Sequence, residues 1–216
     1  MTVSLIALNC AVFIYELLLG SDLRGFMMQW GLVPGRLNLA LHSGGQALTP
    51  ALATLVTSML LHGGWAHLIG NMWYLWIFGD NIEDHLGHTR FLLFFLGGGV
   101  IAALTQFAID PTATIPTVGA SGAIAAVLGA YAVTFPRARV VTLLPLMLFW
   151  PIVRLSALAV LGLWFVFQFF TGALALAWAA GGGIAWWAHV GGFLFGVLAI
   201  RLIPPRAPGR SGPGPV

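Results

Sequence analysis

The chain has 216 residues, 59% of them hydrophobic and 7% charged, with a mean hydropathy of +0.95. A soluble domain carries about 25% charged residues, so this balance excludes an ordinary soluble protein and indicates a polytopic membrane protein. The net charge of +3 comes from nine basic residues, all arginines, scattered near the ends of apolar runs. A basic patch for nucleic acid is therefore not expected. Cys10 is the single cysteine, so an intrachain disulfide is excluded.

The first apolar run is Val3–Gly20. It has no basic segment before it and no small-x-small cleavage pattern after it, and is expected as a retained span rather than a signal peptide. From Ser21 to Gly63 the chain mixes Trp30, Leu32, Val33 and Leu37 with Gly, Pro, Arg36 and Asn38, and a further apolar stretch surrounds Leu55 to Leu61. That mixture predicts short helices lying in the interface. The runs Gly64–Gly79, Thr89–Ile109, Gly119–Phe135, Val153–Leu174 and Gly183–Ile203 follow. A hydrocarbon core about 30 Å thick takes about 20 helical residues, so the expected fold is an all-α membrane protein with six transmembrane helices and a long interfacial first loop. One domain over 1–203 is expected, followed by a Pro/Gly/Arg-rich tail, 204–216, too poor in apolar residues to fold.

Arginine placement sets the expected orientation. With the N-terminus cytoplasmic, the inner segments hold Arg90, Arg137, Arg139, Arg154, Arg201, Arg206 and Arg210, and the outer ones only Arg24 and Arg36. Both termini are thus expected in the cytoplasm. Asp80, Glu83 and Asp84 follow the second span at the inner boundary and are expected to be solvated or paired with Arg90 or Arg137. The tryptophans, among them Trp73, Trp76, Trp150, Trp186 and Trp187, fit interfacial belts or lipid-facing packing.

Pro136 closes the fourth run early, leaving about 17 residues or about 25 Å of helix. This short helix starts below the outer boundary, which puts Ser121 about 8 Å deep. His189 enters the sixth span from the same side at about 9 Å. His67 and Asn71, four residues apart on one face of the second span, fall at about 5 and 10 Å. Four polar side chains from three spans are therefore expected at one level, where polar groups are costly and commonly functional.

Neutral His189 is suited to take the proton of the Ser121 hydroxyl, a weak nucleophile without a base. Ser121 lies in the first turn of its helix, where backbone N–H groups lack intrahelical partners. Those donors, with Asn71 and His67, could hold an oxyanion, and Gly119 and Gly122 leave room around the hydroxyl. With no Asp or Glu at that depth to orient His189, a dyad is expected. Each motif also has a plainer reading. Small residues around Ser121 serve close helix packing, and so does Gly192-x-x-x-Gly196, which would press the sixth span on the fourth. Asn71 could be interhelical glue, and His62, His67 and His189 a zinc site or proton relay, although no carboxylate ligand accompanies them.

The combination of His62-Gly63-Gly64-Trp65-Ala66-His67-Leu68-Ile69-Gly70-Asn71, Gly119-Ala120-Ser121-Gly122 and Ala188-His189-Val190-Gly191-Gly192 resembles the rhomboid family of intramembrane serine proteases. The resemblance covers nearly the whole chain apart from its C-terminal tail. It implies the six-span rhomboid fold, Ser121 as nucleophile, His189 as general base, and His67, Asn71 and the Ser121 N–H as oxyanion donors. It implies a structural role for Glu83, and no cofactor or metal. It further implies an endopeptidase of the cell's inner membrane, acting on transmembrane protein substrates in the lipid bilayer through a cavity open to the outer face. The fifth span and the Gly181-Gly182-Gly183 loop are the natural moving parts, since glycine frees the backbone. One departure stands out. Many members carry an aromatic ring one turn after the nucleophile, packed on the histidine, where this chain has Ala125; Trp186 and Trp187 are the candidates to replace it. A catalytically inactive membrane-binding relative and a proton or metal transporter are the competing classes.

Overall fold

A computed structural model describes residues 1–143, 151–177 and 185–206, which are predominantly helical. Helix α1 (Thr2–Leu18) turns Leu5, Asn9, Phe13 and Glu16 inward and leaves Ile14, Leu17 and Leu18 exposed, as expected of a helix with one lipid-facing side. The first connection holds α2 (Leu23–Trp30), α3 (Pro34–Ser43) and α4 (Leu48–Thr57). All three are too short to span. Pro34 opens α3, where a missing N–H goes unnoticed. The remaining helices are α5 (Trp65–Leu86), α6 (His88–Ile109), α7 (Ser121–Thr134), α8 (Ala157–Ala177) and α9 (Trp186–Ala199).

Two segments, His88–Ile109 and Ala157–Leu176, are long and apolar enough to cross a bilayer unaided. Thr2–Leu18 with Gly20–Trp30, and Gly45–Leu60 with Trp65–Leu86, meet the same measure only as pairs bent by 112° and 81°. The stretches Ser121–Thr134 and Trp186–Leu202 are apolar but shorter. Helix α5 falls short alone because His67, Asn71, Asp80 and Asn81 interrupt its apolar residues and Glu83 and Asp84 follow.

Two helix starts and one pairing differ from those expected. Helix α7 begins at Ser121 rather than Gly119, because Gly119 has φ +118° and Thr117 is drawn into a backbone bridge with Leu32. Helix α8 begins at Ala157 rather than Val153, because Ile152–Ser156 forms a strand (β2) paired antiparallel with Arg139–Leu143 (β1), in register Arg139 with Ser156 and Leu143 with Ile152. Valine, isoleucine and threonine suit such a ladder, and apolar content alone does not separate it from a helix end. Glu83 pairs with neither Arg90 nor Arg137. It accepts the Thr2 N–H at 2.6 Å and contacts His88 Nδ1, tying the start of α1 to the α5–α6 corner. Residues 204–206 lie against that corner as well, with Arg206 N–H donating to the His85 carbonyl at 2.7 Å and Arg90 to that of Pro204 at 3.2 Å. Trp150, the Gly181–Gly183 loop and the tail from 207 lie outside the described residues.

Helix α7 stands at the centre. Its residues Gly122 to Ala132 are all buried, whereas the other long helices each keep an exposed apolar side. Small residues allow this. A Cβ on Gly192 would lie 2.2 Å from the Gly122 carbonyl oxygen, one on Gly196 1.9 Å from that of Ala126, and one on Gly129 2.1 Å from that of Phe193. Helices α7 and α9 are in backbone contact, the close approach that glycine permits between membrane helices. On the other side, a Cβ on Gly98 of α6 would meet the Ala126 methyl at 2.4 Å.

Candidate functional site

The segment entering α7 is held by the first connection. Leu32 and Thr117 exchange two backbone hydrogen bonds of 3.1 and 2.7 Å, Gly35 N–H donates to the Ala113 carbonyl at 2.9 Å, and Gly119 N–H donates to that of Ser58 at 2.8 Å. Leu32, fully buried, and Leu37 anchor the connection beneath. Gly119 meets two demands that only glycine satisfies. Its φ of +118° disfavours any side chain, and a Cβ there would lie 2.6 Å from His67 Nε2 and 3.5 Å from Asn71 Nδ2.

The first turn of α7 therefore begins at Ser121, with its hydroxyl on the side of α9. Ser121 Oγ and His189 Nε2 are 2.8 Å apart, although 68 residues separate them in sequence. The glycine contacts between α7 and α9 position this pair, since Gly192, one turn from His189, abuts Gly122, next to Ser121.

His67 and Asn71 reach the same place from α5. His67 Nδ1 accepts the Gly63 N–H at 3.3 Å, which leaves the proton of a neutral ring on Nε2, the atom nearest Gly119. Asn71 Nδ2 is buried without a hydrogen-bond partner, a cost that an active site carries where a ligand supplies the acceptor. Two side-chain donors thus flank the backbone just before Ser121. His67, Asn71, Ser121 and His189 line a cavity of about 560 Å³ that Met59 and Tyr74 also border.

His189 has two further neighbours, both on α8. Gln168 Oε1 lies 2.7 Å from Nδ1, and the Trp164 ring lies over the imidazole at 5.9 Å between centroids, tilted by 40°. Trp186 and Trp187 do not fill that place; they pack against Phe167 and Phe169. Ala125 is fully buried and packs closely on α9, where a Cβ on Gly192 would lie 3.3 Å from its methyl. Gln168 is no acid, so the dyad expected from the lack of Asp or Glu leaves it out. The available signal was a lone amide in the apolar run Leu161–Phe170, since polar groups inside membranes are costly.

His62 precedes α5 and is buried with both ring nitrogens unpartnered, its ring 5.2 Å from that of His67, while its backbone N–H donates to Glu16 at 3.2 Å. Among the described residues, no three His, Cys, Asp or Glu side chains gather as a metal site.

Comparison with known proteins gives this arrangement its family. The Rhomboid domain matches residues 49–206, the part of the chain that carries all four polar site residues. The chain belongs to the rhomboid family. It is 34% identical over 185 residues to presenilin-associated rhomboid-like protein A, mitochondrial, of Danio rerio, covering 74% of this chain and 44% of that protein. It is also 39% identical over 77 residues to the putative rhomboid protease YdcA of Bacillus subtilis, 36% of this chain and 38% of the relative, and 42% identical over 76 residues to rhomboid protease GluP of the same species, 35% and 14%. The chain spans less than half the length of these relatives. Rhomboid proteins of bacteria and of mitochondria are thus both similar to it, and its apolar helices are those of an integral membrane rhomboid.

Proposed function

We propose that this rhomboid is an intramembrane serine endopeptidase that cleaves transmembrane segments of membrane-anchored proteins. The observation that carries the proposal is the 2.8 Å approach of Ser121 Oγ to His189 Nε2 across two helices. In this reading His189 takes the hydroxyl proton as Ser121 attacks the scissile carbonyl. The oxyanion is met by the Ser121 N–H, the Nε2–H of His67 and the buried Nδ2 of Asn71, donors already gathered beside Ser121. His189 then gives its proton to the leaving amine, and water hydrolyses the acyl-enzyme with the same base. The substrate segment must unwind, because a carbonyl within a helix is hydrogen-bonded and shielded and the bilayer excludes water. A cavity of about 560 Å³ has room for an extended piece of backbone and for water, one molecule of which takes up about 30 Å³.

Arginine distribution supports a cytoplasmic N-terminus and C-terminus, with the cavity opening to the outer face of a cell inner membrane. The 1–203 domain followed by a tail belongs to the same reading. No metal or cofactor is called on.

The test is cleavage of a fluorogenic transmembrane substrate by the purified protein in detergent or liposomes. Ser121→Ala and His189→Ala should each lose cleavage, and a fluorophosphonate should label wild-type Ser121. Cleavage that persists in Ser121→Ala would remove the nucleophile assignment. An unlabelled serine in a folded protein would favour a non-enzymatic membrane-binding role.

A further inference from the structure

The hydrogen bonds at His189 leave one tautomer. The Gln168 oxygen, 2.7 Å from Nδ1, can only accept, so Nδ1 carries the ring proton and Nε2 presents its lone pair to Ser121 Oγ at 2.8 Å. We infer that Gln168 is the positioning residue of His189: a neutral amide that sets the tautomer and ring orientation a base needs, acting together with Trp164 one turn away. This rests on the serine–histidine reading above and extends it from a dyad to a relay of three side chains on three helices.

In soluble serine hydrolases the third member is a buried carboxylate, which also stabilises the imidazolium. Within apolar helices an unpaired charge is costly, and an amide supplies the acceptor without it. Stabilisation of the imidazolium then falls to Trp164, whose ring lies over His189 at 5.9 Å, within reach of a cation–π interaction. Trp164 and Gln168 are four residues apart and share the inward face of α8 with Leu161 and Gly172. Ser121 and His189, by contrast, stand on the backbone-locked pair α7 and α9. The nucleophile and base are held by one helix pair, and the tautomer by another helix. Any outward displacement of α8 withdraws both the acceptor and the ring, so the base is armed only while α8 is seated.

Two variants and two readouts test this. Gln168→Leu removes the acceptor at similar size; Gln168→Glu keeps an acceptor and adds charge. Gln168→Leu is expected to lower kcat at least tenfold with KM changed less than twofold, in protein whose melting temperature shows it folded. Gln168→Glu should recover most of that loss and move the acid limb of the kcat/KM profile to higher pH, because a carboxylate favours the protonated imidazole while the base must be neutral. Wild-type kcat and pH profile in both variants would overturn the inference. If Gln168→Leu does not fold, Gln168→Glu alone decides: an unmoved acid limb is the overturning result.

The second readout needs no activity. In histidine-labelled protein, 15N spectra assigned by loss of the signal in His189→Gln should show His189 as the Nδ1–H tautomer, changing to a mixture in Gln168→Leu or, should that variant not fold, acquiring a second protonation step in Gln168→Glu. The same spectrum in every variant would overturn the inference. A protein that shows the tautomer change without cleaving substrate refutes the protease reading and leaves the positioning role standing. One that cleaves through Ser121 with a Gln168-independent tautomer does the reverse.

Discussion

Helices α7 and α8 are both apolar, yet they are built on opposite plans. Helix α7 is Gly- and Ala-rich, buried on every side, and meets α9 through its backbone: adding a Cβ to Gly196 would bring it 1.9 Å from a carbonyl oxygen. Helix α8 is rich in Phe, Leu and Val, buries a single stripe through Ala157, Leu161 and Gln168, and exposes Leu163, Phe167 and Phe170. Around its Gly162 no heavy atom lies within 4 Å of an added Cβ. The difference separates two tasks. The serine–histidine distance needs a junction without slack, which close-packed backbones provide because overpacking and voids are both penalised. A helix held by one stripe of side chains can be moved at modest cost, and α8 brings to the cavity Trp164 and Gln168, the residues to which the proposal assigns only the orientation of His189.

The comparison can be broken most severely at the chemistry itself. Ser121→Ala and His189→Ala should each reduce kcat by about four orders of magnitude or more, measured with a transmembrane substrate, while near-native melting temperatures show that the α7–α9 junction survives. Comparable activity in either variant would mean that the junction was built for something else. Asn71→Ala comes next. Removing one aimed donor should cost roughly 10²–10³ in kcat with little change in KM, and an effect confined to KM would make Asn71 a binding residue.

A smaller effect sharpens the contrast between the helices with one methyl group. Gly196→Ala should destabilise the protein by about 1–3 kcal/mol and slow cleavage as Ser121 and His189 separate. Gly162→Ala, the same change on α8, should be neutral or stabilise by up to about 1 kcal/mol. Reversible unfolding in mixed detergents measures both; equal effects would show that the two helices do not differ in tolerance. The smallest effect on activity is expected at the α5–α6 corner. Glu83→Ala leaves the buried Thr2 N–H without its acceptor and should cost about 1–3 kcal/mol, read by melting temperature, with kcat within twofold of wild type because Glu83 lies about three turns along α5 from Asn71.

Much of this was legible from the order of residues. Counting helical turns puts Ser121, His67, Asn71 and His189 at one depth, because a helix in a bilayer has a known rise and a known thickness to cross. The small residues at 122, 192 and 196 announced a close helix pair. The arrival of Trp164 over His189 was not legible. Trp186 and Trp187 are adjacent to the histidine in sequence, but neighbours on a helix point in different directions, and the ring comes from another helix. Nor was the β1–β2 pairing legible, since its apolar residues read equally well as the start of a span.

By itself, then, the sequence determined that the chain lives in a membrane, which family it resembles, and that its polar residues should meet at one level. These follow from composition, helical rise and motif spacing, all local quantities. Only the tertiary structure decided that Gln168 meets Nδ1 of His189, that Ala125 is buried against α9 at Gly192, and that the donors of His67 and Asn71 converge on Gly119. Those contacts join residues 21 to 67 positions apart. Nothing along the chain encodes them until the helices have packed.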